Sequence, residues 1–130
     1  MKIIEIPTET RGVRDKAVIE CDRRMLSLSL VMESGARKTY TAHDLYFCLG
    51  LLRADFPETK FLCKGAKLNV YPSRMSSQMS SGLMAYELQL GKPAEPSDLV
   101  RIFDYEETGI TTDIQQQRDF YKRWIESFPR

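Results

Sequence analysis

From residue 25 to residue 33 the chain alternates. Leu26, Leu28 and Leu30 fall on one side, and Ser27, Ser29 and Val31 fall on the other. A period of two predicts a half-buried strand. Ser34 and Gly35 then signal a tight turn, with residues 37–41 as the returning partner. Upstream, the β-branched run of residues 2–6 predicts an edge strand ended by Pro7. Residues 8–16 are polar, hold Gly12 and predict a loop or hairpin connection. Residues 17–21 predict a second strand, with its turn at Asp22, Arg23 and Arg24. These segments together predict a small antiparallel meander.

The period then changes. Thr41 predicts a helix N-cap, with Asp44 three residues on at the positive end of the helix dipole. Leu45, Cys48, Leu49 and Leu52 follow at i, i+3, i+4 and i+7, one apolar face of a helix reaching about Ala54 and stopped by Pro57. Residues 60–63 predict a strand broken by Gly65, and residues 68–71 another up to Pro72. Residues 73–82, SRMSSQMSSG, read as a long loop. A short helical turn there would present Met75 and Met79 on one side. Residues 83–90 alternate as a strand, and residues 91–96 are rich in turn formers. Residues 97–103 predict a short helix capped by Ser97. An acidic loop at 104–109 leads to a last helix from Thr112 or Asp113 to about Ser127. Tyr121, Trp124, Ile125 and Phe128, extended by Ile114, make its apolar face. Strands and helices are segregated. The expected fold is therefore α+β: one domain over residues 1–130, a mainly antiparallel sheet, a central helix and a C-terminal amphipathic helix.

Composition narrows the function classes. With 130 residues, 42% apolar and 28% charged, the chain can bury a real core. A net charge of +1 argues against a dedicated nucleic-acid binder. Three cysteines without CxxC spacing suggest neither a disulfide framework nor a zinc ribbon, and read as small buried hydrophobes in a reducing compartment. The first residues lack the apolar core of a signal peptide, and residues 45–52 are too short to span a bilayer. A cytoplasmic protein with no membrane segment is expected.

Candidate chemistry is sparse. Neither GxxxxGK[ST] nor GxGxxG occurs. The lone His43 beside Asp44 reads as a helix-start pair, so no metal and no cofactor is expected. Cys63 or Ser73 could serve as nucleophile with His43 as base, but spacing alone does not show that they pair in space. Glu106 and Glu107 are paired carboxylates in a loop of solvated character. Charge is uneven: Lys60, Lys64, Lys67 and Arg74 form a basic stretch. From Glu87 to Asp113, seven acids, among them Asp104, Glu106 and Glu107, face only Lys92 and Arg101. Such faces are ordinarily solvated, or else they complement a charged partner, the acidic one a basic partner. The last helix interleaves Lys122 and Arg123 with Phe120, Tyr121 and Trp124. That pattern suits core anchors better than stacking on single-stranded nucleic acid.

One long segment carries a resemblance. Residues 61–86, FLCKGAKLNVYPSRMSSQMSSGLMAY, resemble the central signature of a family of small, uncharacterised bacterial proteins. The signature is a strand ending in Leu-Cys, then Gly-Ala, Val-Tyr-Pro-Ser, a methionine pair, glycines and Ala-Tyr. The runs LVRIFD at 99–104 and QRDFYKRW at 117–124 also match, so the resemblance covers roughly residues 40–124. The family is similar to immunity proteins of contact-dependent and polymorphic toxin systems. Such proteins bind and neutralise a cognate toxin domain in the cytoplasm. The resemblance implies a shared site at Cys63, Tyr71, Ser73, Met75, Met79, Gly82 and Tyr86. Arg74 and the acidic Asp104, Glu106 and Glu107 join it as partner-binding candidates. This chain departs from the signature at Ser80-Ser81-Gly82, where the family has a glycine run, and at Lys64, where it has Asn. Three functions stay open: a protein-binding immunity domain, a small enzyme or ligand-binding domain using the region from Cys63 to Tyr86, and nucleic-acid binding through the basic stretch.

Overall fold

Arg11 and Gly12 both adopt positive φ, 51° and 80°, and so close a two-residue hairpin between β1 (Lys2–Thr10) and β2 (Val13–Asp22). A computed structural model describes residues 2–129. Contrary to expectation, β1 runs straight through Pro7, and most of the presumed connection at 8–16 is strand. The Pro7 carbonyl accepts from the Leu62 amide on the side away from β2. The proline nitrogen faces that side too, so its missing N–H removes no bond to β2.

β3 (Ser27–Val31) and β4 (Arg37–Thr41) complete the meander. The turn before β3 is longer than expected. The Asp22 carboxylate accepts from the amides of Arg24 and Met25, and Leu26 takes φ 50°. Met25 and Leu26 therefore belong to the turn. β5 (Thr59–Phe61) pairs with the end of β1, giving a five-stranded sheet in the order β4-β3-β2-β1-β5.

Helix α1 (Leu45–Ala54) packs on this sheet with Leu45, Cys48, Leu49 and Leu52 fully buried. Its N-cap is Asp44, not Thr41. The Asp44 side chain accepts from Phe47 N at 2.9 Å. A second, three-stranded sheet holds β6 (Val70–Tyr71), β7 (Met84–Glu87) and β8 (Leu99–Arg101), in the order β6-β7-β8. Among the described residues all strand pairs are antiparallel, and with three α-helices the fold is α+β and mainly sheet. The predicted helix at 97–103 is instead a single 3₁₀ turn, Pro96–Asp98, followed by β8. Local capping chemistry was present, but Leu99, Val100 and Arg101 find partners in Tyr86, Ala85 and Met84.

Residues 73–82 also differ from the expected loop. Arg74–Ser80 is a helix, α2, opened by a capping box in which Ser73 and Ser76 satisfy each other's amides. Ser77 Oγ donates to the buried Asp44 carboxylate at 2.5 Å, and Leu45 N donates to Ser81 O. α2 thus sits over the start of α1. The serines that made the segment look like a loop are its caps and anchors. Helix α3 (Ile114–Glu126) is capped by Asp113 and lies on the second sheet. Its packed stripe runs Ile114, Gln117, Tyr121, Trp124. Ile125, placed on that face by expectation, is 48% exposed because it lies one residue, about 100°, beyond Trp124. One hydrophobic cluster joins both sheets and α1.

Candidate functional site

The sequence-derived site residues separate into four places. Cys63 is interior. It is fully buried between β5 and a 3₁₀ turn, Lys64–Ala66, and burial pushes its thiol up to about 11. Such a thiol lies far from the thiolate that nucleophilic catalysis needs. His43 is exposed and rests on Phe47, with ring centroids 4.4 Å apart. No hydrogen bond joins it to Cys63 or Ser73 among the described residues.

The charge asymmetry folds onto itself. Lys64 Nζ lies 2.9 Å from Glu87 and 3.0 Å from Glu106, and Lys67 Nζ lies 3.3 Å and 2.7 Å from the same two carboxylates. The Glu106 carboxyl falls to about 2 because Lys67 and Lys64 donate to it. Burial pushes the Glu87 carboxyl up, but the same lysines outweigh that and leave it lowered. Glu107 accepts from Tyr105 Oη at 2.7 Å and from Arg14, which together hold its carboxyl low. Two of the four cations of the basic stretch thus neutralise two of the seven acids, while Lys60 and Arg74 make no ion pair among the described residues. Of the acidic candidates, only Asp104 makes no ion pair among the described residues.

Tyr71, Ser73 and Tyr86 do meet. Tyr71 and Tyr86 are cross-strand partners on β6 and β7. With Ser73, Tyr121 and Trp124 they line a groove of about 250 Å³. Tyr71 stacks on Tyr121 at 4.5 Å, and Tyr121 on Trp124 at 5.8 Å. Trp124 Nε1 donates to Lys92 O, which fixes the indole. Tyr121 and Trp124 were expected as core anchors in preference to nucleic-acid contacts. They were missed as groove residues because each is only half-buried, Tyr121 stacked on Tyr71 of β6 and Trp124 stacked on Tyr121.

Arg74, Met75 and Met79 occupy the outer face of α2, with Met75 67% and Met79 74% exposed. Gly82 holds the helix end. It takes φ +82°, and a Cβ there would lie 2.7 Å from Asp44 Cγ. Arg23, in the turn before β3, donates to Met79 O and Ser81 Oγ. That tie brings the turn bearing Met25, 70% exposed, against the end of α2. The same edge opens into a cleft of about 680 Å³ between the two sheets. Ile3, Ile4, Leu83, Met84 and Phe103 supply its apolar lining, and Lys2, Arg23, Arg101 and Asp104 its charges. Asp104 and α2 are thus near neighbours of one concave surface. Ile3, Ile4 and Arg23 carried no sequence motif that singled them out.

No group of three His, Cys, Asp or Glu side chains able to hold a metal ion occurs among the described residues, and no described helix is long and apolar enough to cross a membrane. Neither a protein-family model nor a curated protein matches the sequence.

Proposed function

We propose that this protein is a cytoplasmic immunity protein that binds and neutralises a cognate bacterial toxin domain by protein–protein interaction. The observation that carries the reading is the exposed methionine ridge, Met75 and Met79 on α2 with Met25 on the adjoining turn, beside the cleft. Large apolar side chains rimming a concave surface mark interaction sites, and methionine packs against varied partner shapes. The resemblance of residues 61–86 to the immunity-like signature supports the same reading. The test starts from the gene immediately upstream. If it encodes a large secreted protein with a variable C-terminal domain, that domain should form a nanomolar complex with this chain by calorimetry, and the complex should block its toxicity. No such neighbour, or no complex, would sink the reading.

The aromatic groove favours a second reading, a small-ligand-binding domain. A planar molecule could extend the Tyr71–Tyr121–Trp124 stack. Trp124 is the only tryptophan, so its fluorescence reports directly on occupancy. An unchanged emission across a library of aromatic metabolites would dismiss this alternative.

A further inference from the structure

This inference rests on the protein-binding reading and names the surface and the segment it takes. β5 pairs with β1 only at Thr8, Glu9 and Thr10, continued by the Leu62–Pro7 bond. Among the described residues, the first half of β1 therefore has β2 on one side and no strand on the other. In an antiparallel strand the N–H and C=O of one residue point the same way, and the direction alternates. Pro7 faces away from β2, so Glu5 and Ile3 do too. Their N–H and C=O groups have no backbone partner among the described residues. Residues 2–6 thus form an open edge about 17 Å long, an ordinary strand length.

An open edge is a template for pairing, and proteins usually blunt one that has no partner. Pro7 stands past the open stretch, so the N–H groups of Ile3 and Glu5 stay available, and the charges on it are Lys2 and Glu5. It borders the cleft, whose apolar lining would receive alternate side chains of an added strand. The cleft's charges are three cations, Lys2, Arg23 and Arg101, against the single carboxylate of Asp104. None of the three cations makes an ion pair among the described residues. Glu5 is turned to Lys16, 3.4 Å away. The surface is therefore complementary to an extended, acidic segment with apolar residues at every second position.

We infer that β1 takes such a segment of the partner protein as an added strand. Its backbone bonds to Ile3 and Glu5, and its carboxylates lie against Lys2, Arg23 and Arg101.

The probe is a capped hexapeptide alternating valine and glutamate, with a valine–lysine peptide as its counterpart. The glutamate peptide should bind, weaken with added salt, and slow amide hydrogen exchange at Ile3 and Glu5 about tenfold. The lysine peptide should not. Ile3→Pro deletes a donor that faces the cleft, as Pro7 does natively, and keeps the bonds to β2. It should melt cooperatively and lose the peptide. Arg101→Glu alters no backbone group and should also lose it. Equal binding of both peptides, or unchanged exchange at Ile3 and Glu5, overturns the proposal. So does a dimer that Ile3→Pro dissolves and the acidic peptide does not, because a second copy would then be the occupant. If both variants capture the toxin domain as well as the unaltered chain does, the edge is wrong and the protein-binding reading stands. If the unaltered chain captures no toxin, the immunity reading fails, and the exchange experiment still decides the edge.

Discussion

Arg53 Nη2 donates to Gln117 Oε1 at 2.5 Å, and both side chains are fully buried. Arg53 Nη1 donates to Thr111 O, while Gln117 Nε2 donates to the carbonyls of Gly65 and Lys67. This pair ties α1 to α3 and to the 3₁₀ turn between β5 and β6. Among the described residues no carboxylate bonds to the cation and its Nε lacks a partner, and burial lowers its pKa. Gln117→Leu should therefore cost about 3 kcal/mol, since it leaves a buried charge and two carbonyls less satisfied. Arg53→Met combined with Gln117→Met should cost less than the two single changes summed. Urea titrations of the four proteins measure that coupling, and additive losses would show that the two side chains act independently.

Gly82 is where backbone freedom and space coincide. Gly82→Ala places a Cβ within 2.9 Å of three atoms of Asp44 and Leu45 at a positive φ. A loss of about 3 kcal/mol is expected. Gly12→Ala has similar φ, +80°, with nothing within 4 Å, and should lose only about 1 kcal/mol. Equal denaturation midpoints for the two variants would refute the packing argument.

Acid should loosen the contact between the Lys64–Ala66 turn and the acidic loop. Glu106 titrates at about 2 in the folded protein against 4.5 as its ordinary value. A depressed carboxylate contributes stability above the higher value and loses it as pH falls toward the lower one. Stability should therefore decline between about pH 4.5 and pH 2. Glu106→Gln should be less stable than the unaltered chain at neutral pH and show a shallower decline. Parallel pH–stability curves for the two proteins would contradict this.

The cysteines should be inert. Cys63 and Cys48 are pushed up to about 11, chiefly by burial, and Cys21 is raised for the same reason. An aromatic disulfide reagent at neutral pH should label none of the three until denaturant is added. Rapid labelling of Cys63 in the native protein would revive the enzyme reading.

The periodicities of Leu45–Ala54 and Ile114–Glu126, the alternation of β3 and the turn at Ser34 and Gly35 were legible because each is a contact of a few residues' range. So was the α+β class, which follows from segregated periods. The serine-rich segment misled because Ser73 and Ser76 cap a helix as readily as they populate a loop, and its decisive anchor, Ser77 on Asp44, spans 33 residues. The strand at Leu99–Arg101 was hidden for the same reason: its propensity is settled by β7, not by its neighbours in the chain. Of the site, Met75 and Met79 could be read as a pair from their spacing, and Tyr71 and Tyr86 from the signature. Buried cysteines and an edge strand at residues 2–6 were expected from the sequence, but that Lys64 and Lys67 cancel Glu87 and Glu106, and that β1 is open on one side only as far as Pro7, were decided by the fold. Charge pairing, desolvation and strand edges depend on which distant residues come within a few ångströms, and no local pattern encodes that distance.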